Sequence, residues 1–327
     1  MRWPATLPGR SAQRRSDPEG AQSRYRWLLW VTVRYPRTAS RGIRTTRLAA
    51  GACVVAATLL ASAPVLEPAP AGAVPLRMQG CRDGFDCDMS SRIAAVDNYL
   101  SSRPGVTGYV VRDRVTGGTY SSGEAETMFW TASTIKLAIA EDLLNRARVG
   151  AIALSPEDRN QLESMLATSN DSAADYLWNK YAGPDRLAFN NAFRANGMTG
   201  LIPQPPTGGH AFPDWGFQQC TPADLDRLMN NVLDHMHPDD RGYLLDRMRK
   251  VDTNQHWGVW GAGDEMHPGL KNGWSDENGG WVVNSVGFAG PGERYTLAVM
   301  NSLGDQGGYT EGEETTTHVA KLLFGGR

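Results

Sequence analysis

Strand-like sequence stands on both sides of a long helical middle, and this limits the fold more than any other feature. Toward the N-terminus, Thr107–Arg114 and Thr119–Ser122 flank the turn Val115-Thr116-Gly117-Gly118 and read as a β-hairpin. Toward the C-terminus, Leu270–Trp274, Trp281–Phe288 and Arg294–Met300 are strand-like, separated by the turns Glu277-Asn278-Gly279-Gly280 and Gly290-Pro291-Gly292. Between them, Pro156–Val251 is mostly helical, broken at Gly183-Pro184, Gly197 and a Pro/Gly-rich loop, Pro203–Cys220. Ile93, Val96 and Leu100 recur at helical spacing within Met89–Ser102, and Thr315–Phe324 reads as a terminal helix. The expected class is therefore α/β (α+β): one antiparallel sheet built from both chain ends, with an all-helical lobe inserted. The sequence has no internal repeat.

Charge sets the first 73 residues apart. Residues 1–47 carry eleven arginines against Asp17 and Glu19, whereas residues 74–327 hold 22 basic and 32 acidic side chains. An acidic body argues against nucleic acid as a partner. The basic head leads into the apolar run Leu48–Leu66 and then Ala71-Gly72-Ala73, the order of a secretory signal cut after Ala73. An uncleaved anchor is the competing reading of the same run. Cys53 does not sit in a lipoprotein box, because the residue three before it is Ala50. The expected organisation is a signal segment 1–73, an extension 74–91 and a main domain 92–327, exported and monomeric, touching membrane only through the signal. Export makes a disulfide between Cys81 and Cys87 the expected pairing, with Cys220 left single; the other pairings of three cysteines stay open.

The chemistry centres on Ser133-Thr134-Ile135-Lys136, which opens the apolar run Leu137–Ala140. On a helix, positions i and i+3 share a face, so an ammonium stands beside a hydroxyl. A lysine with a lowered pKa can take that hydroxyl's proton and make it a nucleophile, and a helix N-terminus adds N–H groups facing developing negative charge. Alone, the pattern is better read as an N-capping serine followed by a solvated lysine. Two further elements follow in order: Ser169-Asn170-Asp171 between the helical runs Asp158–Ala167 and Ser172–Tyr181, and Lys271-Asn272-Gly273-Trp274 entering a strand.

With these three motifs, the chain from about Arg92 to Phe324 resembles the penicillin-recognising serine hydrolases, nearest the class A β-lactamase family with its S-x-x-K, S-D-N and K-T-G. The resemblance implies that Ser133 is acylated, Lys136 accepts or relays its proton, and Ser169 passes a proton to the departing nitrogen. It implies that Lys271 meets the substrate carboxylate and depresses the pKa of Lys136. The backbone N–H groups of Ser133 and Trp274 would hold the oxyanion, and Gly273 would let substrate backbone approach. Substrates would be small molecules, β-lactams or D-alanyl-D-alanine-like peptides, with no metal or organic cofactor.

Three departures weaken the match. Asp171 stands where the family has an amide that donates to substrate, and an ionised carboxylate only accepts; Asn170 is the candidate to take over that role. Asn272 replaces the hydroxyl residue of K-T-G. The stretch Gly200–Thr221 lacks the deacylating glutamate of class A enzymes, leaving His210 and Asp214 as candidate bases in what equally reads as a solvated connector. Slow β-lactam hydrolysis follows as the expected activity. The alternatives are a D-alanyl-D-alanine peptidase or penicillin-binding protein, or a retired enzyme whose groove binds wall peptides. His235-Met236-His237 has no third ligand in view for a metal. Trp257–Gly261 reads as groove lining or core, and Glu141-Asp142 as a solvated helix face.

Overall fold

The computed structural model describes residues 81–277 and 279–327. The expected signal segment, its cleavage site and Asn278 lie outside these residues. The Cys81 and Cys87 sulfurs are bonded, and Asp86 then caps α1 (Cys87–Leu100) by accepting from the Met89 N–H at 2.6 Å. The chain continues through β1 (Val106–Asp113), β2 (Thr119–Ser121), β3 (Phe129–Trp130), α2 (Ile135–Arg148), α3 (Pro156–Ala167), α4 (Asp171–Tyr181) and α5 (Ala188–Ala195). It then forms β4 (Ile202–Pro203), β5 (Gln218–Cys220), α6 (Pro222–His235), α7 (Pro238–Arg249), β6 (Gly269–Ser275), β7 (Trp281–Ala289), β8 (Tyr295–Gly304) and α8 (Tyr309–Phe324).

The principal sheet runs β2-β1-β8-β7-β6 and every pairing is antiparallel, so strands from both chain ends complete one sheet around an inserted helical lobe. Alternation along β8 divides the core. Leu297 and Val299 pack with α1 and α8, while Ala298 and Met300 face the lobe with α2 and α6. Covered on both faces, β7 and β8 bury nearly every residue, which explains their almost continuous apolar sequence.

Helix starts follow local chemistry. Ser155-Pro156-Glu157-Asp158 and Thr221-Pro222-Ala223-Asp224 are both capping boxes with proline in the first turn, opening α3 and α6. At α8 the helix begins at Tyr309, six residues before the expected Thr315. Gly312 and a run of threonines lower its helical propensity, but a Cβ at Gly312 would meet Val283 Cγ2 at 2.4 Å, so tight packing on the sheet holds it there.

Burial also corrects the reading of Glu141 and Asp142. Every residue from Ile135 to Leu144 is buried, because the lobe wraps α2 on all sides. Asp142 pairs with Arg146 at 2.8 Å, and Asn231 of α6 donates to Glu141. Trp257 and Val259 are core residues, whereas Trp260 is half-buried. Cys220 is a buried free thiol.

A second, three-stranded sheet, β3-β5-β4, positions the site. Ile202 and Pro203 pair with Gln219 and Gln218, pinching the Gly200–Thr221 stretch into a closed loop. Phe129 and Trp130 pair with Cys220 and Gln219, and Thr131 N–H donates to Gln218 O at 2.9 Å. The loop is thus fixed beside the turn that carries Ser133.

Candidate active site

Ser133 sits in a 3-10 turn, Ala132–Thr134, that leads directly into α2, rather than inside the helix itself. Ala132 has φ +44°, a left-handed conformation costly for a residue with a Cβ. The surroundings hold it there. Thr131 O accepts from the Thr134 N–H and from Thr134 Oγ1 at 2.6 Å, and Asn284 Nδ2 of β7 donates to Trp130 O at 2.9 Å and Thr131 O at 3.3 Å. From the other side β6, an edge strand, presses on the same turn. A Cβ on Gly273 would lie 2.6 Å from the Thr134 nitrogen and 2.8 Å from the Ser133 nitrogen. Gly273 therefore answers first to the protein's own backbone.

Lys136, the second residue of α2, is fully buried. Its ammonium donates to Ser169 O at 2.6 Å, lies 3.5 Å from Ser169 Oγ and pairs with Asp171; none of its hydrogen bonds among the described residues goes to Ser133 Oγ. Burial pulls Lys136 below the ordinary lysine range, and the Asp171 charge opposes that pull. Lys271 is also fully buried, donating to Ser169 Oγ and to Asn272 O, both at 2.8 Å. Desolvation, and then the neighbouring Lys136 charge, hold it well below the usual value. One hydroxyl, Ser169 Oγ, therefore lies between two buried lysines whose pKa values are both lowered. Ser169 itself is held at φ +58° in the link between α3 and α4.

The remaining motif residues divide. Asn170 caps α4, its Oδ1 accepting from Ala173 N at 2.9 Å, so its carbonyl oxygen is committed to the helix. Asp171 begins α4 with its side chain 72% exposed and lines the pocket while holding Lys136. Asn272 lies away from the groove expected for it. Neighbours along a strand point to opposite faces, and the fully buried amide of Asn272 donates to Gln255 O at 2.9 Å, tying down the Gln255–Trp257 segment. Trp274 packs edge-on against Trp257, with ring centroids 5.8 Å apart, and near Tyr309 at 6.1 Å.

A pocket of about 280 Å³ opens at Ser133, lined also by Asp171, Trp215, Gly216, Trp274 and Trp281. A neighbouring cavity of about 510 Å³ shares Asp171, Trp215 and Gly216 with it and adds Asp175, His210 and Asp214. The two candidate bases thus line the second cavity. Asp214 is committed within its loop, accepting from Gly216 N at 2.9 Å and facing His210 Nδ1 at 3.3 Å. Trp215 is the site residue that motif reasoning missed. Its ring centroid lies 4.6 Å from Lys136 Nζ, and its indole N–H donates to Asp175 Oδ1 at 2.7 Å. The available signal was a large apolar side chain within a proline- and glycine-rich loop. Among the described residues, no group of three or more His, Cys, Asp or Glu side chains could hold a metal ion.

The fold recurs in solved structures. A β-lactamase from Xanthomonas campestris pv. campestris superposes with a TM-score of 0.60 at 19% identity, covering 72% of this chain and 97% of that one. PBP-A superposes with a TM-score of 0.58 at 20% identity, covering 72% and 94%. An ancestral class A β-lactamase gives 0.57 at 20%, covering 72% and 98%.

The fold is that of the class A β-lactamases and PBP-A.

In sequence, the chain is similar to mycobacterial proteins named "Putative lipoprotein LppW", from Mycobacterium bovis and Mycobacterium tuberculosis. Identity is 28% over 247 residues, covering 72% of this chain and 75% of each relative. No protein-family model matches the chain. Within the β-lactamase fold, all three sequence motifs meet around Ser169, while the Gly200–Thr221 loop presents a tryptophan to the nucleophile pocket.

Proposed function

We propose that this β-lactamase-fold chain is an exported serine hydrolase, acylated on Ser133 by β-lactams or D-alanyl-D-alanine-like peptides, and that it hydrolyses the β-lactam amide slowly. The observation that carries the reading is the convergence of Lys136 and Lys271 on Ser169 Oγ beside the pocket at Ser133. A neutral Lys136 accepts the Ser133 Oγ proton as Oγ attacks the carbonyl carbon. Ser169 then delivers a proton to the departing nitrogen and is recharged from Lys271. The expected oxyanion donors, the N–H groups of Ser133 and Trp274, belong to the turn and strand that abut at Gly273; one such donor is worth about 3–4 kcal/mol of barrier. Because Lys271 is buried beneath Ser169, its influence on a substrate carboxylate runs through the Ser169 hydroxyl.

A second reading, a D-alanyl-D-alanine peptidase or penicillin-binding protein with a long-lived acyl-enzyme, is favoured by one observation: His210 and Asp214 line the neighbouring cavity instead of the pocket at Ser133. Export is supported by similarity to proteins named as lipoproteins.

The test is intact-protein mass spectrometry of residues 74–327 mixed with a simple penicillin, followed over time beside Ser133→Ala. An adduct that the variant lacks establishes the nucleophile, and its lifetime separates the two readings. Neither adduct nor penicillin consumption would overturn both.

A further inference from the structure

We propose that Trp215 decides the fate of acyl-Ser133 by covering the Lys136 side of the pocket with an aromatic face and keeping hydrolytic water from that approach. The inference rests on the acyl-Ser133 reading above.

Trp215, with Asp171, Gly216 and Glu277, lines both the pocket at Ser133 and the larger cavity beside it, so its indole stands at the boundary of the two. The indole is fixed from several directions. Its N–H is bound to Asp175, on α4 one turn beyond Asp171. Just before it, Pro213 O accepts from the buried Trp178 indole at 3.1 Å, and Asp214 O accepts from Gln218 Nε2 at 2.6 Å. Gln218 is in turn held by Asn190 at 2.9 Å, and Asp214 Oδ1 takes the Gly216 N–H on the far side. Trp215 is 9% exposed, and its ring face meets the Lys136 ammonium in a cation–π contact.

Hydrolysis of the acyl-enzyme requires water oxygen to attack the ester carbonyl, the carbonyl–Oγ bond to break, and the water proton to leave for a base. The loop offers this pocket an indole, which has no lone pair with which to accept a proton. Apart from Cys220, the loop's titratable side chains are Asp214 and His210, which line the cavity on the other side. The carboxylates that line the pocket itself, Asp171, Asp276 and Glu277, come from other segments. Trp215 is therefore a positioning residue for deacylation. Acylation uses Lys136 and Ser169, and because the indole also touches the Lys136 ammonium, the two steps are read separately.

The experiment follows adduct mass after mixing the 74–327 protein, Trp215→Ala and Trp215→Phe with a penicillin, and separately with an activated phenylacetyl ester. Trp215→Ala is expected to lose the adduct at least about tenfold faster, read as the decay of adduct already formed so that any change in acylation is scored separately. Trp215→Phe, which keeps a ring face, is expected to stay near the parent protein. A merely structural role would slow both steps together. Equal adduct lifetimes in the parent and Trp215→Ala overturn the proposal, as does Trp215→Phe behaving like Trp215→Ala. If Trp215→Ala does not fold, Asp175→Ala, which releases the indole tether, is expected to shorten the lifetime by a smaller factor, and an unchanged lifetime overturns the proposal. Labelling by the ester but not by penicillin removes β-lactams from the substrate class, and the ester adduct still decides the role of Trp215. Labelling by neither overturns both readings.

Discussion

A Cβ on Gly273 would stand 2.8 Å from the backbone nitrogen of Ser133. The edge strand β6 and the nucleophile turn touch backbone to backbone, and this contact sets the spacing of the two N–H groups expected to hold an oxyanion. Gly273→Ala must push β6 away from the turn, because both contacting groups are main chain. Acylation of Ser133 by penicillin is expected to slow by about 100-fold, the scale of losing one oxyanion donor. The far-UV circular dichroism should be retained. An unchanged acylation rate would show that the spacing is not what matters.

Asp171 holds the ammonium of Lys136 against the effect of burial. Neutralising it in Asp171→Asn removes a charge that favours the protonated lysine, so the Lys136 pKa falls further. If neutral Lys136 is the base, the acid limb of the acylation rate against pH moves to lower pH. A limb that stays in place or moves up would exclude Lys136 as the titrating base.

Asp158 ties α3 to α4, which brackets Ser169. It completes the α3 capping box with Ser155 and accepts from Lys180 Nζ at 2.6 Å and the Tyr181 hydroxyl at 2.8 Å. Burial would raise its pKa, but Lys180, Ser155 and Tyr181 outweigh it and hold the carboxyl well below its ordinary value. With a depressed folded-state pKa, its stabilisation is present at neutral pH and fades as pH drops through the folded value. Asp158→Asn should cost about 1–3 kcal/mol in urea unfolding at pH 7. The gap should narrow at pH 3, and a constant gap would contradict the ionic account.

Glu141 carries the opposite sign. Burial raises its pKa to about 8, with Asn231 and Asn196 opposing. The folded-state pKa lies above the unfolded one, so ionisation works against folding and stability declines as pH rises toward 8. Glu141→Gln should therefore be more stable than the parent at pH 9, by about 1–3 kcal/mol, with little difference near pH 5. Parallel stability curves for the two proteins would refute this.

Much of the fold and the principal motif positions were legible in the chain. Strand-like runs at both ends specified the sheet, helical spacing marked the inserted lobe, and Ser133, Lys136, Ser169 and Lys271 stood out by type and spacing. Asn170 and Asn272 were legible as positions but not as orientations. An amide beside a site can face a substrate, cap a helix or pin a loop, and only neighbouring backbone decides which.

The sequence by itself determined a two-ended antiparallel sheet, an inserted helical lobe and a serine–lysine pair, because periodicity and residue spacing are local properties of the chain. Tertiary structure alone decided that Glu141 is buried, that Gly273 serves the nucleophile turn and that Trp215 lies over Lys136. Each depends on which distant segment arrives beside the residue. For Trp215, that is settled by the pairing of β3, β4 and β5, strands two or three residues long and too short to leave a periodic trace.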